Sequence, residues 1–228
     1  AVCGRICPHT KQCQGSCVRG IKSDPVSIGE LEAFIGDISL KEKYSIEKSD
    51  KINKHKKVAI VGGGPSGITA SAFLLKQGFS VTLYEKYDYL GGLLVHGIPE
   101  FRLPKEIVKE TIQKVIDLGL KVEYNQELGK NLFLKDLEKE YDAVLLSFGA
   151  NITTKMGVEG EELDGVYGGN QLLEKKYHPD YTNKKVAVIG GGNVAMDCAR
   201  TIQRLGAKEV KVIYRRAEEQ MPAETKEI

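Results

Sequence analysis

Apolar positions along the chain follow two rhythms. From Lys57 a β-branched run, Val58-Ala59-Ile60-Val61, stops at Gly62-Gly63-Gly64 and gives way to a helical spacing through Ile68, Ala72 and Leu75 that ends near Gly78. Val81-Thr82-Leu83-Tyr84-Glu85 follows as a second strand, so the stretch reads strand, glycine turn, helix, strand, the βαβ unit of a parallel sheet. Residues 105–118 put Ile107, Val108, Ile112, Val115 and Ile116 on one helical face and close on Gly119. Val122–Tyr124 and Ala143–Leu146 read as further strands, with a short helix over 134–140 between them. Upstream, a loop leads into a helix carrying Ile28, Leu31, Phe34, Ile35 and Ile38 on one face, and the Lys-rich stretch 46–57 reads as a solvated connector. Alternation of this kind predicts an α/β layered fold.

An internal repeat fixes the architecture. Val186-Ala187-Val188-Ile189-Gly190-Gly191-Gly192 repeats the first strand and glycine triplet at an offset of 128 residues, and Gly78 and Gly206 keep that offset. The chain is therefore expected to hold two Rossmann-like nucleotide-binding units, joined by an irregular connection over 151–183.

Composition narrows the functional classes. The chain has 228 residues with 33 Lys+Arg against 31 Asp+Glu, so its charge gives no reason to expect nucleic acid or a membrane surface as partner. No run approaches the ~18 consecutive apolar residues of a membrane span, and the first residues lack a signal-peptide core, which points to the cytoplasm. Gly reaches 25, roughly 11% against a typical ~7%, and four of five cysteines fall within the first seventeen residues. The absent initiator Met and an end inside a helical pattern suggest an interior piece of a longer chain.

Gly62, Gly64 and Gly67 form G-x-G-x-x-G, in which the first glycine permits the turn, the second lets backbone approach a pyrophosphate and the third lets helix pack on strand. Glu85 ends the next strand eighteen residues beyond Gly67, where a carboxylate accepts hydrogen bonds from an adenosine ribose diol. No Gly-Lys-Ser/Thr follows, which disfavours a P-loop ATPase. The second unit reads Gly190, Gly192, Ala195; with one extra residue before its second strand, Tyr214 falls where the first unit has Glu85, and Arg215 and Arg216 follow. A missing carboxylate and two guanidinium groups suit a ribose 2′-phosphate, although two solvated arginines at a strand end would look the same. FAD at the first turn and NADP(H) at the second is the resulting expectation, with hydride passing between them and no acid–base triad required. His96 and His178 read as structural or surface groups. Asp197 reads as a carboxylate favoured by the helix dipole, and Cys198 as a packing residue.

Cys3, Cys7, Cys13 and Cys17 run as C-x3-C-x5-C-x3-C, and Pro8 after Cys7 is similar to the Cys-Pro pair of ferredoxin sites. An iron–sulfur site is the preferred reading, with zinc or no metal as alternatives; a cytoplasmic setting disfavours disulfides. No C-x-x-C occurs, which disfavours thioredoxin-reductase chemistry.

Taken in order, Cys3-Gly-Arg-Ile-Cys-Pro8, Cys13-Gln-Gly-Ser-Cys17, Val61-Gly-Gly-Gly-Pro-Ser-Gly67, Gly91-Gly92-Leu93, Gly97-Ile-Pro-Glu-Phe-Arg-Leu-Pro104, Gly190-Gly-Gly-Asn-Val-Ala-Met-Asp197, Tyr214-Arg-Arg216 and Met221-Pro-Ala223 span essentially the whole chain. The set resembles the family of the small (β) subunit of NADPH-dependent glutamate synthase, which shares its module with dihydropyrimidine dehydrogenase and the large subunit of ferredoxin:NADP transhydrogenase. The resemblance implies an oxidoreductase in which NADPH reduces FAD and electrons pass through [4Fe-4S] clusters to a glutamate synthase large subunit or another acceptor such as ferredoxin. It implies FAD contacts from Gly62, Gly64, Pro65, Ser66, Gly67, Glu85, Gly92, Leu93 and Gly149, and NADPH contacts from Gly190, Gly192, Asn193, Val194, Arg215 and Arg216. Cys7, Cys13, Cys17, the less certain Cys3, and Glu32 as a non-cysteine ligand would hold iron–sulfur. Ser147–Ala150 resembles the family's hinge strand. The family carries a further four-cysteine group upstream, which this sequence lacks, so two clusters are not completed by Cys3–Cys17 alone. The expected organisation is a Cys-rich helical segment over 1–50, the first part of an FAD domain over 56–155, and a linker with the first part of an NADPH domain over 156–228. By itself such a piece is expected to hold flavin weakly and not to turn over.

Overall fold

The computed structural model describes residues 1–47, 55–150, 152–174 and 178–228; most of the Lys-rich connector lies outside them. Helices α1 (Cys3–Ile6) and α2 (Ile28–Lys41) form the N-terminal segment, with 3-10 turns at His9–Lys11 and Val18–Ile21 between them. The first unit runs β1 (Lys57–Val61), α3 (Pro65–Lys76), β2 (Ser80–Tyr84), α4 (Leu93–His96), α5 (Lys105–Ile116), β3 (Lys121–Glu123), α6 (Leu134–Glu140) and β4 (Ala143–Leu146). Then come α7 (Gly169–Glu174), β5 (Lys185–Ile189), α8 (Asn193–Arg204) and β6 (Glu209–Ile213).

β1 to β4 form one parallel sheet in the order β3-β2-β1-β4. Strand order reverses beside β1, so a crevice opens at the carboxyl ends of its strands, where open α/β sheets bind ligands. Alternate β1 residues serve opposite layers. Val58 and Ile60 join Val81, Leu83, Ile68, Val108, Ile112 and Val115 under α3 and α5, whereas Ala59 and Val61 meet Leu132 and Leu137. β5 and β6 pair in parallel as a separate two-stranded sheet whose Val188 packs with Met196, Cys198 and Ile202 of α8. Its other face is open, with Ile189 and Ile213 59% and 51% exposed.

The α/β class, both Rossmann-like units and the repeat are as read from the sequence. β5 and α8 follow β1 and α3 at an offset of 128 residues and β6 follows β2 at 129, the extra residue expected before the second strand. Two expectations change. The connection over 151–183 contains α7, whose Leu172 is buried against α8's core. And α2 turns its small residues inward. A Cβ on Gly29 would come within 2.5 Å of the His9 ring, and side chains on Gly4 or Gly36 would collide with Ala33 or Ala1. Close approach of α1 to this Gly29–Ala33–Gly36 stripe leaves Leu31, Phe34 and Ile35 more than half exposed.

This layering predicts a contrast between two apolar truncations. Leu83→Ala, in the fully buried sheet layer, costs about 2–5 kcal/mol in urea unfolding, while Ile213→Ala on the open face costs less than about 1 kcal/mol.

Candidate functional site

Both glycine turns are built alike. Gly62 leaves β1 at φ 108° and Gly190 leaves β5 at φ 137°, left-handed values that side chains rarely adopt. A Cβ on Gly67 would collide with the Gly62 carbonyl oxygen, so the third glycine is required by packing. Gly64 is different. Its φ −76° and ψ −173° suit any residue, yet a Cβ there would meet no atom within 4 Å. Gly192 matches it at φ −94° and ψ 173°, with Pro222 Cγ the nearest atom at 3.9 Å. Each turn therefore keeps space that protein packing does not use, the condition for backbone to approach a pyrophosphate. No side chain caps α3, which begins at Pro65 and Ser66, or α8, which begins at Asn193 and Val194. Their first-turn N–H groups remain for a ligand.

The middle residue of each triplet reports on the strand beside it. A Cβ on Gly63 would lie 3.0 Å from Glu85 Oε2, and one on Gly191 would lie 2.8 Å from the Tyr214 ring. Glu85 and Tyr214 thus occupy equivalent positions. Glu85 is buried, and both its oxygens already accept backbone N–H groups, from Gly63 at 2.6 Å and Tyr87 at 3.0 Å. Its first task is to hold the turn, and a ribose would share its remaining lone pairs. Gly91 N–H donates to Gly63 O at 2.8 Å, and Gly92, at φ 51°, would put a Cβ 3.0 Å from Gly64 Cα. Gly92 and the half-exposed Leu93 therefore stand beside the first turn. Ser147 donates through N–H to Val61 O at 2.8 Å and through its hydroxyl to Gly62 O at 3.0 Å, which draws the segment leading to the exposed Gly149 along the same turn.

Around the second turn, Asn193 Oδ1 accepts the Glu224 N–H at 3.0 Å and Gly191 O accepts the Ala223 N–H at 3.0 Å, so residues 221–224 form a strap against the glycines. Arg215 and Arg216 are exposed after β6, and among the described residues no carboxylate pairs with either.

The cysteines form a loose group. Burial pushes the Cys7 thiol up, and Cys3, Cys13, Glu32 and Glu224 add to the shift through their negative charge. Cys17 is lowered by backbone N–H groups near Val26 and Arg19. The donor chemistry suits iron–sulfur, yet among the described residues no three Cys, His, Asp or Glu side chains converge enough to hold a metal ion. Nothing in the sequence singled out His9, which is buried beside this group against Gly29.

Other residues have structural duties. His96 Nδ1 lies 3.1 Å from the Tyr89 hydroxyl with its ring edge-on to Tyr87, and burial lowers its pKa. His178 stacks at a tilt near Tyr181. Cys198 is pushed up to about 12 by burial, with Asp197 adding, and so behaves as a packing residue. Asp197 departs from the dipole reading. It is buried against Arg102, whose Nη1 lies 2.7 Å from Asp197 Oδ2 and whose Nε lies 3.1 Å from Glu227 Oε1. Losing one member of such a buried pair typically costs about 3–5 kcal/mol. Arg102 and Asp197 are 95 residues apart, and no local pattern links them.

Comparison with known proteins agrees with these features. Residues 56–228 match the pyridine nucleotide-disulphide oxidoreductase family, and residues 1–44 match dihydropyrimidine dehydrogenase domain II, 4Fe-4S cluster. The glutamate synthase [NADPH] small chain of Escherichia coli is 37% identical over 240 residues, covering all of this chain and 51% of that protein. The NADPH-Fe(3+) oxidoreductase subunit beta of Geobacter sulfurreducens is also 37% identical, over 235 residues, with 35% of its length covered. The chain thus spans about half of one relative and about a third of the other. Among solved structures, Mycobacterium tuberculosis FprA in complex with NADPH has the same fold at TM-score 0.69 and 24% identity, over 75% of this chain and 46% of that one. With its paired glycine turns and the 173 residues that carry them, the chain belongs to the pyridine nucleotide-disulphide oxidoreductase family.

Proposed function

We propose that this chain is the nucleotide-binding part of an NADPH-oxidising flavoprotein subunit of the glutamate synthase small-chain type, with FAD on the first turn and NADPH on the second. The observation that carries the reading is the pair of like-built turns that differ at one equivalent position, Glu85 in the first and Tyr214 followed by Arg215 and Arg216 in the second. A buried carboxylate beside the first ribose position favours a diol and repels a phosphate. Its absence from the second, with two unpaired guanidinium groups, favours a 2′-phosphate.

When bound, the flavin supplies hydride acceptance from the nicotinamide and release of electrons singly. The chain's own residues bind and orient. Gly62 and Gly67 shape the first turn, Gly64 leaves room for the diphosphate, and the N–H groups of Ser66 and Gly67 face an anion at the positive end of α3. Gly92, Leu93 and Gly149 border the flavin side. In the second unit Gly190, Gly192, Asn193 and Val194 do the same work, and the Glu224 N–H holds the Asn193 side chain in place. The 4Fe-4S reading of residues 1–44 is supported by the family match and by the cysteine-rich donor chemistry of Cys3, Cys7, Cys13 and Cys17, whose side chains do not converge on one point among the described residues. The small-chain name of the E. coli relative supports a large-subunit partner, and the Geobacter relative at equal identity supports a second reading with a different final acceptor. No described helix is long and apolar enough to cross a membrane. Co-purification from the native source decides between the acceptors by naming the partner.

Three outcomes test the reading. Gly67→Ala lowers the melting temperature through its clash with Gly62, whereas Gly64→Ala melts like the parent but binds FAD at least about tenfold more weakly in fluorescence titration; equal melting losses would remove the ligand-space argument. Replacing Arg215 and Arg216 together by Ala in the full-length enzyme raises KM for NADPH by about 10–100-fold and KM for NADH by less than about threefold in steady-state kinetics, one or two charge-assisted contacts being at stake. Iron and acid-labile sulfide analysis finds both elements in the native protein, with broad visible absorption that a chelator bleaches; a colourless zinc protein refutes the cluster reading.

A further inference from the structure

The motif Gly97–Pro104 takes no part in either glycine turn, yet it supplies a buried ionic link between the two units. Phe101 and Arg102 lie on the loop between α4 and α5, on the side of the first unit that meets α8. The Arg102 side chain is 6% exposed and spans two carboxylates, Asp197 at 2.7 Å through Nη1 and Glu227 at 3.1 Å through Nε, themselves 4% and 7% exposed. Arg200 closes on the other oxygen of Glu227, and the guanidinium groups of Arg200 and Arg204 lie 4.5 and 4.3 Å from the Phe101 ring centre. Asp197, Arg200 and Arg204 share one face of α8, at i, i+3 and i+7. That helix begins at Asn193, directly after the second glycine turn, and its backbone ladder makes it a stiff lever. Fixing its flank fixes the direction of its first turn.

We infer that Arg102 is a positioning residue that sets the second nucleotide-binding turn relative to the first, through its two-edged grip on Asp197 and Glu227. The inference rests on the two-nucleotide reading above. Arg102 lies behind the turns, so it fixes the approach of one bound ring to the other while leaving phosphate binding to the glycine-turn backbone. Only a planar fork bonds two carboxylates from separate edges; an ammonium group serves one well. Hydride transfer depends steeply on the separation of the reacting atoms, and small misplacements cost rate far more than affinity.

The test uses Arg102→Lys and Glu227→Gln in the FAD-loaded full-length protein. Single-turnover flavin reduction at saturating NADPH is expected to fall at least about tenfold for Arg102→Lys and about threefold for Glu227→Gln, with NADPH affinity within about threefold of the parent. Hydrogen exchange, which needs no turnover, is expected to quicken in residues 97–104 and in the first turn of α8 while β1 and β2 keep their protection. Unchanged rate and exchange in both variants overturn the inference, and so does an affinity that falls in step with the rate. If Arg102→Lys does not fold, Glu227→Gln carries the same comparison from the outer edge of the network. A parent protein whose flavin NADPH does not reduce refutes the two-nucleotide reading itself; a parent that reacts normally beside variants equal to it refutes the role of Arg102 alone.

Discussion

The hydrogen bond from Gly63 N–H to the buried Glu85 carboxylate, 2.6 Å long, is the interaction on which the first unit depends. It joins the end of β1 to the end of β2 at the point where the sheet opens for a ligand. A carboxylate that is 5% exposed is expensive to desolvate, and it is stable there because a second N–H, from Tyr87, meets its other oxygen. With the turn fixed, Gly91 bonds to Gly63 and Gly92 closes on Gly64, so residues far apart in sequence come to border one space. The second unit solves the same problem without charge. Tyr214 presses its ring on Gly191 and donates its hydroxyl to Gln220 O at 3.1 Å, which steadies the strap that follows. One position in each unit thus supports its turn.

That strap also connects the cysteine segment to the second turn. Thr10 donates to the Glu224 carboxylate at 3.0 Å, Lys11 to Pro222 O at 2.6 Å and Lys226 to Arg5 O at 3.4 Å. Glu224 meanwhile donates its N–H to Asn193 at the head of α8. Two of these links are exposed and individually weak, but Glu224 is buried, so its bond to Thr10 is the one whose loss leaves an unsatisfied group. The cysteine segment is therefore seated on the second unit through the residues that border its glycine turn.

Much of the fold was legible because its signals are local. Strands β1 and β5 follow β-branched runs, and the left-handed values at Gly62 and Gly190 are ones the glycine pattern demands. Gly78 and Gly206 keep the 128-residue offset of the glycine turns, and one extra residue after Gly206 pairs Glu85 with Tyr214. What the sequence could not show depends on which partner a surface meets. The apolar face of α2 was plain, but the helix packs through Gly29, Ala33 and Gly36, because small residues let backbones approach where Phe34 and Ile35 could not. Asp197 reads as a dipole carboxylate from its place near a helix start, but α8 begins at Asn193 with no acidic residue in its first turn, and Arg102, distant in sequence, accounts for it.

The balance of charge around Asp197 says what kind of joint this is. Burial pushes its pKa up even though Arg102 lies 2.7 Å away, the negative charge of Glu227 adds to the shift, and Asp197 Oδ1 is buried with no partner among the described residues. The attraction in the pair is thus largely consumed by desolvation, and the network adds little net stability for its size. Its value lies in geometry. An apolar contact of similar area would tolerate sliding and rotation, whereas a fork held by two carboxylates has one good arrangement and loses its bonds steeply away from it. Such a joint restricts direction more than it binds.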